Sequence, residues 1–301
     1  MTVVLTAAAL LGLVGCASVP GPTSASEAVP AMPVSGRTAR LSRAERIESE
    51  VELLGLRMGK MVLDFCPADS LITTTIEASP LVRLVRRLSG TATTHLSNGG
   101  LTPERSIVEV HDGDKTRRYR VVYRDTGFEY EYETIQGKVE RGQNDGAGGA
   151  PLYDLQSAMA LLRSWQPRLA EAAHFYVVLG RNLWRAEVRF AGPEMLTVSG
   201  APRLTRRMDG VASRVDADAA PKQAEGANDV RRAFSLWFEQ DGAGYPVRLV
   251  ARSTYGDVTM ALARYVQSDE FCIAHREADA KETSPAEPGQ GGLNESPSTG
   301  H

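Results

Sequence analysis

The sequence predicts a mainly β protein: a curved antiparallel sheet or half-open barrel that carries one short amphipathic helix. Three observations lead there. From Arg46 onward apolar and polar residues alternate with a period of two. Turn signals separate these short runs at spacings of about 8–12 residues, the pattern of sandwiches and barrels. One segment alone, residues 153–167, changes to helical spacing.

The clearest strands are in RRYRVVYRDTGFEYEYE, residues 117–133. Tyr119, Val121 and Tyr123 share one face of the first arm, and Phe128, Tyr130 and Tyr132 share one face of the second. Arg124-Asp125-Thr126-Gly127 supplies the turn. Pairing Tyr123 with Phe128 sets Val121 opposite Tyr130, Arg120 opposite Glu131 and Arg118 opposite Glu133. Aromatics then line one face while opposite charges meet on the other, and that agreement defines the register.

The helical segment YDLQSAMALLRSWQP carries Leu155, Ala158, Met159, Leu162 and Trp165 on one stripe, with Asp154 as N-cap and Pro167 beyond its end. In WRAEVRF, Trp184, Ala186, Val188 and Phe190 alternate with Arg185, Glu187 and Arg189. AFSLWFEQ (233–240) and YPVRLVARS (245–253) flank the turn Asp241-Gly242-Ala243-Gly244, and VTMALARYV (258–266) follows. Segments 141–150 and 210–230, rich in Gly, Ala and Asp, read as long surface loops.

The N-terminus has a different character. Val3 to Val14 is an uncharged apolar run, shorter than the roughly 20 residues that span a bilayer. It has the length of a signal-peptide core and ends Leu13-Val14-Gly15-Cys16, which looks like the lipobox of bacterial lipoproteins. The expected division is a signal peptide (1–15), a lipidated Cys16 with a flexible tether (16–41), a β domain (42–276) and a polar tail (277–301). No Lys or Arg precedes the apolar core, so only the terminal amine supplies the usual positive charge. Ala17 is not the aspartate that resembles an inner-membrane retention signal, so the expected location is the outer membrane, facing the periplasm. The membrane, reached through that lipid, is the first expected partner.

Composition excludes some functions. A net charge of −3 gives no basic face for nucleic acid. The five histidines form no HxH, HExxH or other metal-ligand spacing, and there is no GxSxG elbow, P-loop or GxGxxG run. No catalytic residue, metal or cofactor is expected. Once Cys16 is lipidated, Cys66 and Cys272 remain. An oxidising compartment favours a disulfide between them; a reactive Cys272 thiolate beside His275, or two buried thiols, are the alternatives.

Four stretches carry a family resemblance: ERIESEVELLGLRMGKMVLDF, LTPERSIVEVHDGDKTRRYRVVY, YDLQSAMALLRSW and FSLWFEQDGAGYPVRLVARSTYGDV. Over about residues 44–267 the chain resembles the exported domain-of-unknown-function family 3108, with a longer 210–230 insertion. The resemblance implies a curved antiparallel sheet with a helix, similar to lipoprotein carriers, and no assigned activity. Two roles follow as expectations. One is a non-enzymatic envelope lipoprotein binding an apolar or amphipathic ligand, such as a lipid, against Tyr119, Tyr123, Phe128, Tyr130 and Tyr132. The other is a scaffold or assembly protein that meets an envelope protein partner.

Overall fold

The computed structural model describes residues 29–33 and 43–275, except 86, 98–99, 134–136, 216–230, 254 and 274. Fifteen strands join in one sheet among these residues. The first eight are β1 (Glu45–Leu53), β2 (Leu56–Cys66), β3 (Leu71–Ala78), β4 (Leu88–Leu96), β5 (Pro103–Asp112), β6 (Lys115–Arg124), β7 (Gly127–Glu133) and β8 (Val139–Asn144). A two-residue β9 (Leu152–Tyr153) precedes β10 (Ala172–Leu179), β11 (Asn182–Val198), β12 (Ala201–Val215), β13 (Arg231–Glu239), β14 (Pro246–Ser253) and β15 (Gly256–Gln267). Helix α1 (Pro80–Val85) follows β3, and α2 (Leu155–Ser164) follows β9.

The strand order runs from β8 down to β1, then from β15 down to β9. Two meanders are thus fused where the first strand pairs with the last, from Glu45↔Gln267 to Leu53↔Val258. Every pairing is antiparallel except β9 with β10. The period-two pattern turns one apolar face inward: Ile47, Phe65 and Ile72 in one meander, Met208, Leu236 and Phe238 in the other, all in one buried cluster. Each such side chain contributes about 1.5–3 kcal/mol on burial. The long β11 bends at a bulge between Phe190 and Gly192, where a φ of 121° suits only glycine.

The sheet is curved but not closed: β8 and β9, its two free edges, share no ladder. One end tucks against the other instead. Val177 and Ala186 of the β10–β11 hairpin face the main core, whereas Val178 and Leu183 of the same hairpin face the opposite way. These two pack with Val121, Tyr123, Phe128 and Leu152. Val121 pairs with Ser106 on β5, on the same face as Val110 of the main core. The outer face of β10–β11 therefore lies on the inner face of β6–β7. At the hairpin tip a Cβ on Gly180 would come within 3.1 Å of the Tyr119 ring, and Arg181 reaches Glu140 of β8 at 2.7 Å.

The β6–β7 register is the expected one, with Tyr123↔Phe128, Val121↔Tyr130, Arg120↔Glu131 and Arg118↔Glu133. Arg124 forks onto Glu129 within the hairpin at 3.1 and 3.3 Å, but two other close ion pairs run outward. Arg118 reaches Glu109 on β5 at 2.6 Å, and Glu131 takes Arg141 of β8 at 2.7 Å. Both β6 and β7 have a neighbour on either side, so a charge there chooses between two partners.

Several expectations need correction. Residues 141–144 belong to β8, not a loop, and 210–215 extend β12. Helix α1 was not anticipated; Pro80 opens it and the Ser79 Oγ accepts from the Val82 N–H at 3.3 Å. Residues 29–33, assigned to the tether, continue the edge beside β9. His174 N–H donates to Pro30 O at 2.9 Å, Met32 N–H donates to His174 O at 2.8 Å, and Met32 is buried in the core. Cys16, the rest of the signal and tether, residues 216–230 and the tail from 276 lie outside the described residues.

Candidate functional site

Helix α2 crosses the concave face of the sheet and is fastened at both ends. At its start Asp154 accepts from the Ser157 N–H at 2.8 Å, and the Ser157 Oγ returns to the Asp154 N–H at 3.0 Å. This reciprocal cap satisfies two otherwise orphaned donors, the Ser157 and Asp154 N–H groups. The Thr94 hydroxyl donates to the Asp154 carboxylate and abuts the Gln156 amide oxygen. Gln156 in turn donates to Thr74 at 2.9 Å and to the Ala92 carbonyl at 2.8 Å, which fixes the helix to β3 and β4. Burial raises the Asp154 carboxyl above its ordinary range, although Thr94 and Ser157 oppose the shift.

The C-terminal end is held by guanidinium groups. Arg163 forks onto Glu45 of β1 at 2.7 and 3.0 Å and donates to the Ala243 carbonyl at 2.9 Å. Arg206 of β12 caps the last turn, donating to Trp165 O at 2.6 Å and Arg163 O at 3.0 Å. Burial lowers the Arg206 pKa from its ordinary value. Between these clamps the helix presents only apolar side chains to the sheet. A cavity of about 90 Å³ remains there, lined by Leu155, Met159, Phe175, Val177 and Phe234, with the buried Arg232 on its wall.

The five candidate ligand-facing aromatics lie elsewhere. Tyr123 and Phe128 are buried in the overlap, with Tyr130 packed against them. Tyr119 stacks on Tyr132 with ring centroids 4.4 Å apart, and burial together with Tyr132 pushes the Tyr119 hydroxyl up to about 12. None of the five lines the cavity under α2. The chain's own β10–β11 hairpin covers this aromatic face.

A second fastening joins β2 to the turn that follows β15. Cys66, ending β2, is disulfide-bonded to Cys272 across 206 residues, with Cα atoms 5.6 Å apart. Beside it, Arg46 forks onto Asp64 at 2.7 and 2.8 Å, and His275 Nε2 lies 2.8 Å from the same carboxylate. Burial alone would raise the Asp64 carboxyl; hydrogen bonds from Arg46 and His275 outweigh it and hold the group below its ordinary range. His275 thus serves Asp64 rather than activating a thiol. Among the described residues no cluster of three His, Cys, Asp or Glu could hold a metal.

On the outer face an open groove of about 590 Å³ runs across β11–β15, where Glu187, Arg207, Asp209 and Arg252 surround Val211 and Val250. Sequence reasoning found Asp154 but missed Glu45, Thr94, Arg163 and Arg206. Their only local signal is a charged or polar residue on the inward parity of a strand, as at Glu45 and Arg206.

The family described as a protein of unknown function, DUF3108, matches residues 69–263. No curated protein gives a match. Among solved structures, a β-barrel-like DUF1849 protein from Brucella abortus is 11% identical with a TM-score of 0.49, over 75% of this chain and 98% of that one. The hypothetical lipoprotein YmcC of Escherichia coli is 11% identical with a TM-score of 0.29, over 81% and 90%. The Mycobacterium tuberculosis lipoprotein LppX is 10% identical with a TM-score of 0.22, over 75% and 88%.

Proposed function

The chain belongs to the DUF3108 family, and we propose that it is an exported envelope protein, held at the outer membrane by lipid on Cys16 and facing the periplasm, that works by binding and not by catalysis. The lipobox motif supports the anchor, and the buried Cys66–Cys272 bond supports an oxidising compartment. Within that reading, a protein partner on the outer face is the first choice. One observation carries it: α2 and the β10–β11 hairpin already fill the concave face, so the surface left for binding is outside. The groove over β11–β15, with charges of both signs around apolar residues, suits a polypeptide surface. A photo-crosslinking residue in place of Val211 is expected to capture one envelope protein in cells. Absence of any crosslinked protein, together with lipid recovered in stoichiometric amount from the purified chain, would overturn this choice.

The second reading, an amphipathic ligand held inside, rests on the cavity under α2. Its wall is apolar apart from Arg232, which would face an anionic head group. Ligand pockets usually need about 300 Å³ or more. At about 90 Å³ the site takes an acyl chain only if α2 lifts from the sheet. Mass spectrometry of extracts from the purified chain tests this directly.

A further inference from the structure

We propose that one end of the rolled sheet is a docking surface for an anionic lipid bilayer, formed by the β1–β2 turn, α1 and the β14–β15 turn. These parts are contiguous because β3, β2, β1 and β15 are neighbours in the sheet. The Leu54 N–H donates to Asp257 O at 3.4 Å, and the Ser79 N–H donates to Met58 O at 2.7 Å, which ties α1 and the two turns to one edge. Leu54, Leu56, Leu81, Leu84 and Tyr255 stand there between 57% and 84% exposed. Exposed apolar groups scattered singly are ordinary, but five at one end of a domain mark an interaction surface.

The turn itself is a costly choice for folding alone. Leu54 has φ 53° and Gly55 φ 77°, the left-handed pair that a two-residue hairpin turn requires. Asn or Asp takes the first position with little strain, whereas leucine, 69% exposed and touching only the Gly256 turn closely, gains little there by burial. A strained, exposed leucine points to a role outside the fold.

Charge decides the occupant. Residues 80–88, PLVRLVRRL, contain three arginines and no acid, and Arg83 and Arg87 are exposed. Three nearby acids are engaged, Glu50 with Arg57 at 2.9 Å, Glu77 with Lys60 at 3.3 Å and Asp257 with Arg252 at 3.6 Å; Glu52 adds one further negative charge against Arg83 and Arg87. The Asp112–Asp114 turn, whose Gly113 N–H donates to Arg87 O at 2.8 Å, marks the border of the patch. Leucines protruding from separate tips offer no shaped groove to a protein but insert readily among acyl chains, with tyrosine at the interface and arginines among phosphates. The proposal uses the Cys16 anchor only to bring this end near a membrane; the patch borders the outer-face groove at Arg252 and Asp257 and does not rest on what that groove binds.

Hydrogen exchange of the full chain, with and without vesicles, tests it. On vesicles of phosphatidylglycerol and phosphatidylcholine, amides in 53–57 and 79–87 are expected to exchange more slowly, with little change on phosphatidylcholine alone. Arg83→Gln with Arg87→Gln is expected to lower the docking equilibrium roughly thirtyfold. Leu54→Asn suits the turn, so it keeps the fold and weakens docking. Unchanged exchange on anionic vesicles overturns the proposal, and so does equal slowing on neutral ones. Slowing without vesicles that grows with protein concentration also overturns it, by making this end a contact between copies of the chain. Whether Cys16 carries lipid is read separately, from the mass of its peptide, and the exchange result is scored on added vesicles in either case.

Discussion

Two regions hold the roll together by opposite means. The overlap of β6–β7 with β10–β11 is sealed by apolar side chains, whereas α2 is fastened at its ends by ion pairs and hydrogen bonds. An apolar seal is strong but indifferent to direction. Charged and polar clamps add less net stability and fix position instead, because a misplaced buried charge is costly. The seal therefore sets how tightly the ends of the sheet hold, and the clamps set where the helix lies.

The largest expected effect breaks the seal. Phe128 is 1% exposed at the centre of the overlap, and Phe128→Ala should cost about 3–5 kcal/mol in urea unfolding. Hydrogen exchange should quicken in β6–β7 and β10–β11 while α2 stays protected. Equal quickening in α2 would show that seal and clamps are one cooperative unit. Next comes the disulfide, which binds the C-terminal turn to β2: Cys272→Ser should cost about 2–5 kcal/mol, with loosening around Asp64 and not at the overlap.

Two buried carboxylates, Asp154 at the helix clamp and Asp64 beside the disulfide, carry opposite pH signatures. The Asp64 pKa is lowered from 3.8 in the folded protein, so its stabilising contribution is present above 3.8 and is lost as pH falls through the folded value. The Asp154 pKa is raised from 3.8, so its contribution is full below 3.8 and is lost as pH rises through the folded value. Asp64→Asn should therefore flatten the acid limb of the stability profile and lower stability at neutral pH. Asp154→Asn should leave neutral stability equal or higher, with the difference from the parent shrinking below about pH 4. Matching profiles for both variants would remove the distinction between the sites.

How far the sequence could be read follows from this division. Periodicity is a local property: alternation gave the β6–β7 register residue for residue, and helical spacing gave the N-cap at Asp154. It cannot say which faces meet. The overlap needs a hairpin that is apolar on both sides, and the signal for that is adjacent apolar residues, Val177-Val178 and Leu183-Trp184, where strict alternation fails. The aromatic face of Tyr123 and Phe128 was legible as a face, but its covering by the chain's own hairpin was not. Helix α1 was legible in Ser79-Pro80, yet six residues are too few for periodicity to reveal. Arg163 with Glu45, and Arg206 at the helix end, depend on distant segments meeting, which no window of sequence contains.

The smallest expected effect tests the same limit at one carboxylate. Cross-strand register alone gives Glu131 to Arg120, whereas the structure gives it to Arg141 of the next strand at 2.7 Å. The Glu131 carboxyl is lowered from its ordinary value of 4.5, first by the hydrogen bond from Arg141, which outweighs desolvation, and then by the charges of Arg141 and Arg120. An NMR titration should find the Glu131 pKa rising toward 4.5 in Arg141→Gln and moving less in Arg120→Gln. Both groups are at the surface, so neither variant should shift the urea midpoint measurably. A larger shift from Arg120→Gln would return the charge pair to the hairpin. The expected order means that register sets which residues are neighbours of Glu131, while the next strand in the sheet decides which of them its charge takes.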